Sequence, residues 1–236
     1  RPRARAHAVA ARAGGARLMG GVWDAFEANN GWSQTWIHIR LSLTALALAT
    51  VVGLVLGVVC AKIGRGAAFA VVTISNLGRT VPTFALIALI LALTSLGFWP
   101  AALGLFLLGV PPILLNAYTG VNEVDRGVVE ASRGMGLRPL QVLGRVELPI
   151  AMPLIFAGIR TSSVQIIATA ALAGLVGADG LGVIVSSGLS NSQDDVILAG
   201  AIPITILAAL SEVLFGGAER IATPRGLRIG RTPTTP

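Results

Sequence analysis

The chain has 236 residues, of which 54% are hydrophobic and only 12% are charged. A typical soluble domain carries about 25% charged residues, so this composition argues against a soluble domain and against a disordered chain. A disulfide-stabilised fold is excluded as well, because Cys60 is the single cysteine. Long apolar runs of this kind predict an all-α membrane protein that crosses the bilayer several times.

The N-terminal segment, residues 1–31, differs in composition from the rest of the chain. Residues 1–17 contain five arginines and no acid, and the residues that follow are polar and aromatic. A secretory signal peptide would place an apolar stretch directly after the basic one, and this segment does not. We therefore expect residues 1–31 to be a disordered basic tail and a lead-in to the first membrane span.

Five apolar stretches follow, each of about the 20 residues or more that a helix needs to cross a bilayer. They are residues 38–61, 67–96, 100–120, 151–176 and 196–217. The second stretch is too long for one straight helix and contains Pro82, which removes a backbone donor and kinks a helix. We expect one broken span, bent near residues 80–82, with two separate short spans as the alternative. These stretches predict one transmembrane domain of about five helices.

Basic residues are concentrated in alternate connections between these stretches. The link at residues 62–66 carries two, the loop at 121–149 carries four, and the C-terminal segment from residue 218 carries four. The opposite connections, residues 97–99 and 177–195, carry none. By the positive-inside rule, the loop and the C-terminal tail at 221–236 are predicted to be cytoplasmic and the N-terminus outside, although the arginines of residues 1–17 do not fit this arrangement. The basic residues are distributed as membrane topology requires, so they do not indicate a nucleic-acid partner.

The loop at residues 121–149 predicts a short helical hairpin. Asn122 is a candidate N-cap, followed by acidic residues that favour the start of a helix. Two ion pairs at helical spacing would support this helix: Arg126–Glu130 and Glu130–Arg133. An apolar stripe would let it dock: Val124, Val128, Ala131 and Met135. Gly134 and Gly136 are expected to end it, Pro139 to begin a second helix, and Pro149 to end that one.

The spacing within this loop resembles the signature of ABC importer permeases. That signature is Glu-Ala-Ala, three residues, Gly, nine residues, Ile, any residue and Leu-Pro. The matching residues are Glu130, Ala131, Ser132, Gly136, Val146, Leu148 and Pro149, with Ser132 replacing Ala and Val146 replacing Ile. Residues 116–125, 157–160 and 198–203 further resemble permeases that import glycine betaine, choline or carnitine. Residues 176–182 do so too, although Asp179 stands where glycine or alanine is expected.

This resemblance covers residues 32–220 and implies the type I ABC importer permease fold in a bacterial cytoplasmic membrane. It also implies three kinds of partner: ABC ATPase subunits, a second permease copy or paralogue, and an extracytoplasmic substrate-binding protein. The chain has no G-x-x-x-x-G-K-[ST] phosphate loop, so ATP and magnesium are expected on the separate ATPase and no cofactor on this chain. The helix at Glu130–Gly136 is implied to dock in the ATPase and to transmit its closure to the spans.

Several polar residues in the predicted spans are candidates for a translocation path: Arg79, Asn116, Tyr118, Thr119 and Arg160. For Arg79, snorkelling or an internal ion pair is the favoured explanation. For the others, helix packing explains their position about as well, with Glu212 as a partner for an arginine. Aromatic residues, which form cages for quaternary ammonium groups, make up only 5% of the chain and are scattered. We therefore expect the cage on the binding protein and only a weak, transient site in this chain.

Three other functions are weighed against this interpretation. An intramembrane protease of the rhomboid type would need a Gly-x-Ser-Gly motif and a histidine on a later span, whereas His38 lies in the first span. An ion-driven carrier would need buried acids and inverted repeats, and Glu212 is the one candidate acid. The closest alternative is a permease for another small solute, such as methionine or another amino acid.

Overall fold

The computed structural model describes residues 20–63, 65–80, 82–94 and 97–222, which form helices and no strand. Most of the predicted basic N-terminal tail and nearly all of the C-terminal tail lie outside these residues. Helix α1 covers residues 20–28, and nine more α-helices follow within the described ranges. They are α2 (Gly31–Ile63), α3 (Arg65–Thr80), α4 (Thr83–Leu93), α5 (Phe98–Asn122), α6 (Arg126–Gly134), α7 (Pro139–Val142), α8 (Leu148–Leu175), α9 (Leu181–Asn191) and α10 (Asp194–Ala222). A π turn at Leu143–Glu147 joins α7 to α8.

Four segments of the described chain are long and apolar enough to cross a membrane. They are α2, α5, α10 and the continuous helical segment Pro139–Leu175, which contains α7, the π turn and α8. Each corresponds to one predicted span. The all-helical class and the membrane-spanning architecture predicted from the sequence are therefore confirmed.

The second predicted span is broken where the sequence indicated. Helix α3 ends at Thr80, Pro82 is extended with φ −61° and ψ 113°, and α4 begins at Thr83. Helices α2 and α5 run in the same direction, since Gly53 lies beside Ile113 and Gly57 beside Ala117. The chain between them therefore returns across the bundle once, as one broken span does. Two complete crossings would have reversed α5 relative to α2.

Small residues set the spacing of the main helices. A Cβ atom added at Gly57 would lie 2.7 Å from the Leu114 carbonyl oxygen, and one added at Gly158 would lie 3.0 Å from the Pro112 carbonyl oxygen. Side chains at these positions would push α2 and α8 away from α5. Close approach of this kind is how membrane helices gain packing contacts, because lipid already solvates their apolar surfaces.

Two short helices were not predicted. Residues 20–28 were assigned to the lead-in and residues 177–195 to an external loop, but they contain α1 and α9. Ala25 and Phe26 of α1 pack with Leu181 and Ile184 of α9 and with the start of α10. Because both helices are too short to span a bilayer and are stabilised by these contacts between distant segments, local hydropathy did not reveal them.

Candidate functional site

The predicted hairpin connects the end of α5 to the beginning of α8. Its first helix, α6, begins after Asp125, whose carboxylate accepts a hydrogen bond of 3.1 Å from the Val128 amide. The prediction of Asn122 as the N-cap is therefore wrong, because α5 continues through that residue. A connection of only three residues separates the two helices, which leaves Asp125 as the side chain placed to cap α6.

Helix α6 presents its predicted docking residues to the outside of the chain. Glu130 and Ala131 are exposed, and Met135 is 75% exposed. Of the predicted apolar stripe, only Val124 is buried. Within the described residues no ion pair joins Glu130 to Arg126 or Arg133, so these two predicted pairs are wrong. All three residues are exposed, and ion pairs that are in contact with water contribute little.

Ser132 is the buried member of the Glu-Ala-Ser sequence. Its side chain faces inward, and its hydroxyl donates a hydrogen bond of 2.7 Å to the Val128 carbonyl oxygen. A small residue is needed at this position because it lies on the inner surface of α6. The three signature residues therefore divide between two faces, with Glu130 and Ala131 outside and Ser132 inside.

Gly136 turns the chain at the end of α6, as the sequence predicted. Its φ is +87°, in the region that side chains disfavour, and its amide donates a hydrogen bond of 2.9 Å to the Arg133 carbonyl oxygen. The next amide, of Leu137, donates to the Ser132 carbonyl oxygen at 3.3 Å. Glycine is the residue that adopts this conformation at a helix end without strain. No atom lies within 4 Å of a Cβ added at Gly136.

The second arm of the hairpin is part of a span. Pro139 occupies the first turn of α7, as predicted, but Pro149 does not end the helix. It lies in the first turn of α8, directly after the π turn in which the Leu148 amide donates to the Leu143 carbonyl oxygen. The π turn, with its wider hydrogen bonds, comes before the proline. Pro149 is therefore in the first turn of α8, where a missing amide donor does not interrupt the helix.

The last part of the signature packs against the spans. Val146, Leu148 and Pro149 are all half-buried. Leu148 contacts an apolar cluster formed by buried residues of α5 and α8: Ala117, Val121, Ala151 and Ile155. These residues attach the hairpin to the bundle, whereas α6 remains accessible.

An ion pair beside the hairpin was not predicted from the sequence. Glu147, in the π turn, has a side chain that is only 5% exposed, and its carboxylate accepts a hydrogen bond from Lys62 at the end of α2. Lys62 had been interpreted as a topological charge and Glu147 as an unconstrained position. Two signals could have identified the pair: Lys62 is the only lysine of the chain, and Glu147 is an acid within an apolar helix start.

Among the side chains that the structure describes, the candidate path residues do not converge on one surface. Asn116 donates a hydrogen bond of 2.8 Å to the Pro112 carbonyl oxygen and lies at the α5–α8 contact beside Gly158. Tyr118 and Thr119 are half-buried one turn or less further along α5. Arg160 lies on α8 two residues after Gly158, and therefore on a different face of that helix. The side chain of Arg79 lies outside the described part of the structure.

Arg160 joins α8 to α10 through two carboxylates. Its Nε atom donates to Glu212 at 2.7 Å, and its Nη1 atom donates to Glu219 at 3.4 Å. The partner suggested from the sequence, Glu212, is confirmed. Charged groups within membrane spans are generally paired, so this arrangement accounts for Arg160 through helix packing. Among the described residues no group of His, Cys, Asp and Glu side chains could hold a metal ion.

Aromatic residues are less scattered than the sequence indicated. Phe26 contacts Trp23 and Trp32 with ring centroids 5.9 and 5.4 Å apart, respectively. The three rings line an apolar cavity of about 390 Å³ between α1, the start of α2 and α10. They stack or meet edge to face with one another, which stabilises the contact of α1 with the bundle.

Comparisons with known proteins agree with this architecture. Residues 53–225 match the family described as a binding-protein-dependent transport system inner membrane component. The chain is 40% identical over 195 residues to the choline transport system permease protein OpuBB of Bacillus subtilis (strain 168), covering 83% of this chain and 89% of that protein. It is also 40% identical over 198 residues to the carnitine transport permease protein OpuCB of Listeria monocytogenes, covering 84% and 90%, respectively.

A solved structure shows the same fold. The MetNI methionine ABC transporter, in an inward-facing conformation, matches with a TM-score of 0.72 and 25% sequence identity, covering 81% of this chain and 95% of that one. The bundle of apolar helices and the hairpin between α5 and α8 thus define a multi-pass membrane permease with the type I ABC importer fold. The chain belongs to the family of binding-protein-dependent transport system inner membrane components.

Proposed function

We propose that this chain is the permease subunit of an ATP-driven importer for quaternary-amine osmoprotectants of the glycine betaine, choline and carnitine type. The observation that carries this proposal is the 40% identity, over more than four-fifths of the chain, to permeases named for choline and for carnitine. The substrate class is the part of the proposal that rests on these two relatives. The permease class follows from the family itself.

In this proposal ATP and magnesium bind to separate ATPase subunits, and α6 is the contact with them. The exposed Glu130, Ala131 and Met135 supply a surface of mixed charge and apolar character. Gly136 ends that surface with a tight turn that keeps the second arm clear of it. An extracytoplasmic binding protein would deliver the solute, and a second permease copy or paralogue would complete the pathway.

The distribution of basic residues supports one orientation in the membrane. Loop residues 121–149 and the C-terminus would face the cytoplasm, and α1 and α9 the outside. In a Cys60→Ser background, a membrane-impermeant maleimide added to intact cells should label Ser190→Cys of α9 and should not label Arg138→Cys of the loop. Both residues are exposed. Labelling of both from outside would contradict the topology.

An importer for another solute is the second candidate, since the matching solved structure is a methionine transporter. Its 25% identity is well below that of the choline and carnitine permeases. The relatives named for osmoprotectants, including the osmoprotectant import permease protein OsmW of Salmonella typhimurium at 36% identity, therefore favour the quaternary amines.

The test is uptake into vesicles that contain the complete transporter. The permease, its ATPase and its permease partner would be reconstituted, with the binding protein added outside and ATP enclosed. Radiolabelled choline, glycine betaine or carnitine should accumulate only with ATP, and methionine should not. Accumulation of methionine alone would favour the second candidate. Uptake driven by a proton gradient without ATP would contradict both.

A further inference from the structure

The Lys62–Glu147 pair occupies an unusual position, at the joint between the hairpin and the spans. The carboxylate of Glu147 is almost fully buried, whereas the side chain of Lys62 is 42% exposed. A buried carboxylate without a partner is strongly unfavourable. Glu147 therefore depends on Lys62, while Lys62 has access to water without Glu147. The ion pair therefore joins Glu147, whose carboxylate is shielded from water, to Lys62, whose side chain reaches water at the end of α2.

The buried member of the pair lies within the π turn. Residues Leu143–Glu147 form a single wide turn within the helical segment Pro139–Leu175. Turns of this type are rare and are frequently found at functional sites. Here the turn separates α7, which belongs to the hairpin, from α8, which belongs to the bundle. The ion pair connects this joint to the end of α2, 85 residues earlier in the chain.

The same pair faces the proposed ATPase-contacting helix. Lys62 and Glu147 line a largely polar cavity of about 250 Å³, and three charged residues of α6 line its other side: Arg126, Glu130 and Arg133. The opposite side of the joint is held by apolar contacts of Leu143 and Leu148 with α5 and α8. The π turn is therefore held in the bundle by two kinds of contact, the apolar cluster and the ion pair with Lys62.

We propose that the Lys62–Glu147 ion pair is a positioning contact for coupling, which holds the π turn against α2 so that displacement of the hairpin moves α8. This inference rests on the proposed function. Without the pair, the hairpin still binds the ATPase, but its displacement bends the joint and does not carry α8 with it. ATP hydrolysis then continues while transport falls.

The experiment compares ATP hydrolysis with radiolabelled choline uptake in the same reconstituted vesicles. Glu147→Gln and Lys62→Met are each expected to retain the ATPase on purification and to raise the ratio of ATP hydrolysed to choline imported by about tenfold. The exchanged double variant Lys62→Glu/Glu147→Lys restores the attraction and is expected to recover most of the wild-type ratio. A merely structural defect would lower yield, hydrolysis and uptake together.

The matched control is Glu27→Gln on α1, the same substitution at an exposed position far from the hairpin. It should leave the ratio unchanged. If wild-type vesicles show no ATP-driven uptake, the proposed function fails. If they do, and both single variants keep the wild-type ratio or the exchanged variant recovers nothing, this inference alone is overturned. If the single variants do not insert into the membrane, the double variant Lys62→Met/Glu147→Gln, which removes both charges, takes their place. A wild-type ratio of ATP hydrolysed to choline imported in that double variant also overturns the inference.

Discussion

The two arms of the hairpin differ in what surrounds them. The first arm, α6, exposes Glu130 and Ala131 and contains one buried residue, Ser132. The second arm, which leads through the π turn into α8, buries Val142 and Glu147 and joins an apolar cluster with α5. One continuous signature thus serves two purposes, contact with a partner and attachment to the spans. Changes in the first arm should impair association, and changes in the second should impair stability or coupling.

The largest effect is expected at Gly136, where the arms meet. Gly136→Leu should abolish uptake and release the ATPase on mild detergent purification, because a side chain at φ +87° strains the turn and its bulk obstructs close approach of the partner. Membrane insertion should be normal, as judged by the amount of permease in the membrane fraction.

Substitution by alanine separates the two causes, strain of the turn and obstruction of the partner by a bulky side chain. Gly136→Ala adds little bulk but keeps the strain, and it should weaken ATPase association partly. Gly134→Ala adds the same methyl group within α6, where no atom lies within 4 Å of it, and should have no such effect. Equal effects of the two alanine variants would show that the turn conformation is not the cause.

The second effect concerns charge on the exposed arm. Glu130→Lys should lower ATP-driven uptake by about tenfold, because it reverses a charge on the exposed surface of α6. The described structure shows no ion pair of Glu130 whose loss could weaken the fold. The thermal unfolding midpoint of the isolated permease should stay unchanged. Glu27→Lys on α1, an equal charge reversal at the opposite end, should transport normally. Wild-type uptake by Glu130→Lys would remove it from the docking surface.

A smaller effect, on the stability of the permease and not on its association with the ATPase, is expected in the second arm. Ala151 is 1% exposed and faces Gly120 of α5, where a Cβ added to the glycine would lie 3.1 Å away. Ala151→Leu should destabilise the permease by about 1–3 kcal/mol through overpacking, measured as a lower unfolding midpoint in detergent. Molecules that remain folded should still bind the ATPase. Loss of association without loss of stability would contradict the division between the arms.

The parts of the fold that depend on the bilayer were predictable from the sequence. Apolar length predicts the spans, and Pro82 predicts the break between α3 and α4, because both signals are local. Helices α1 and α9 were not predicted because they are stabilised by an apolar cluster that includes Phe26 and Leu181, which are more than 150 residues apart in the chain.

For the candidate site, local chemistry again separates what was predictable from what was not. Gly136 and Pro139 were correctly placed at the turn of the hairpin, since backbone geometry restricts both residue types. The Lys62–Glu147 pair was missed because its partners meet only when α2 packs beside the π turn. Pro149 was misplaced because a π turn leaves no clear mark in residue composition.

Maleimide labelling of cysteines in the two arms can distinguish contact with the ATPase from attachment to the spans. In a Cys60→Ser background, Ala131→Cys of α6 and Ala151→Cys of α8 would be labelled in detergent with and without the ATPase. We expect Ala131→Cys to react readily in the isolated permease and to be protected when the ATPase is added, whereas Ala151→Cys, being buried, should remain unreactive in both states. Equal reactivity of Ala131→Cys with and without bound ATPase would show that α6 is not the contact with the ATPase.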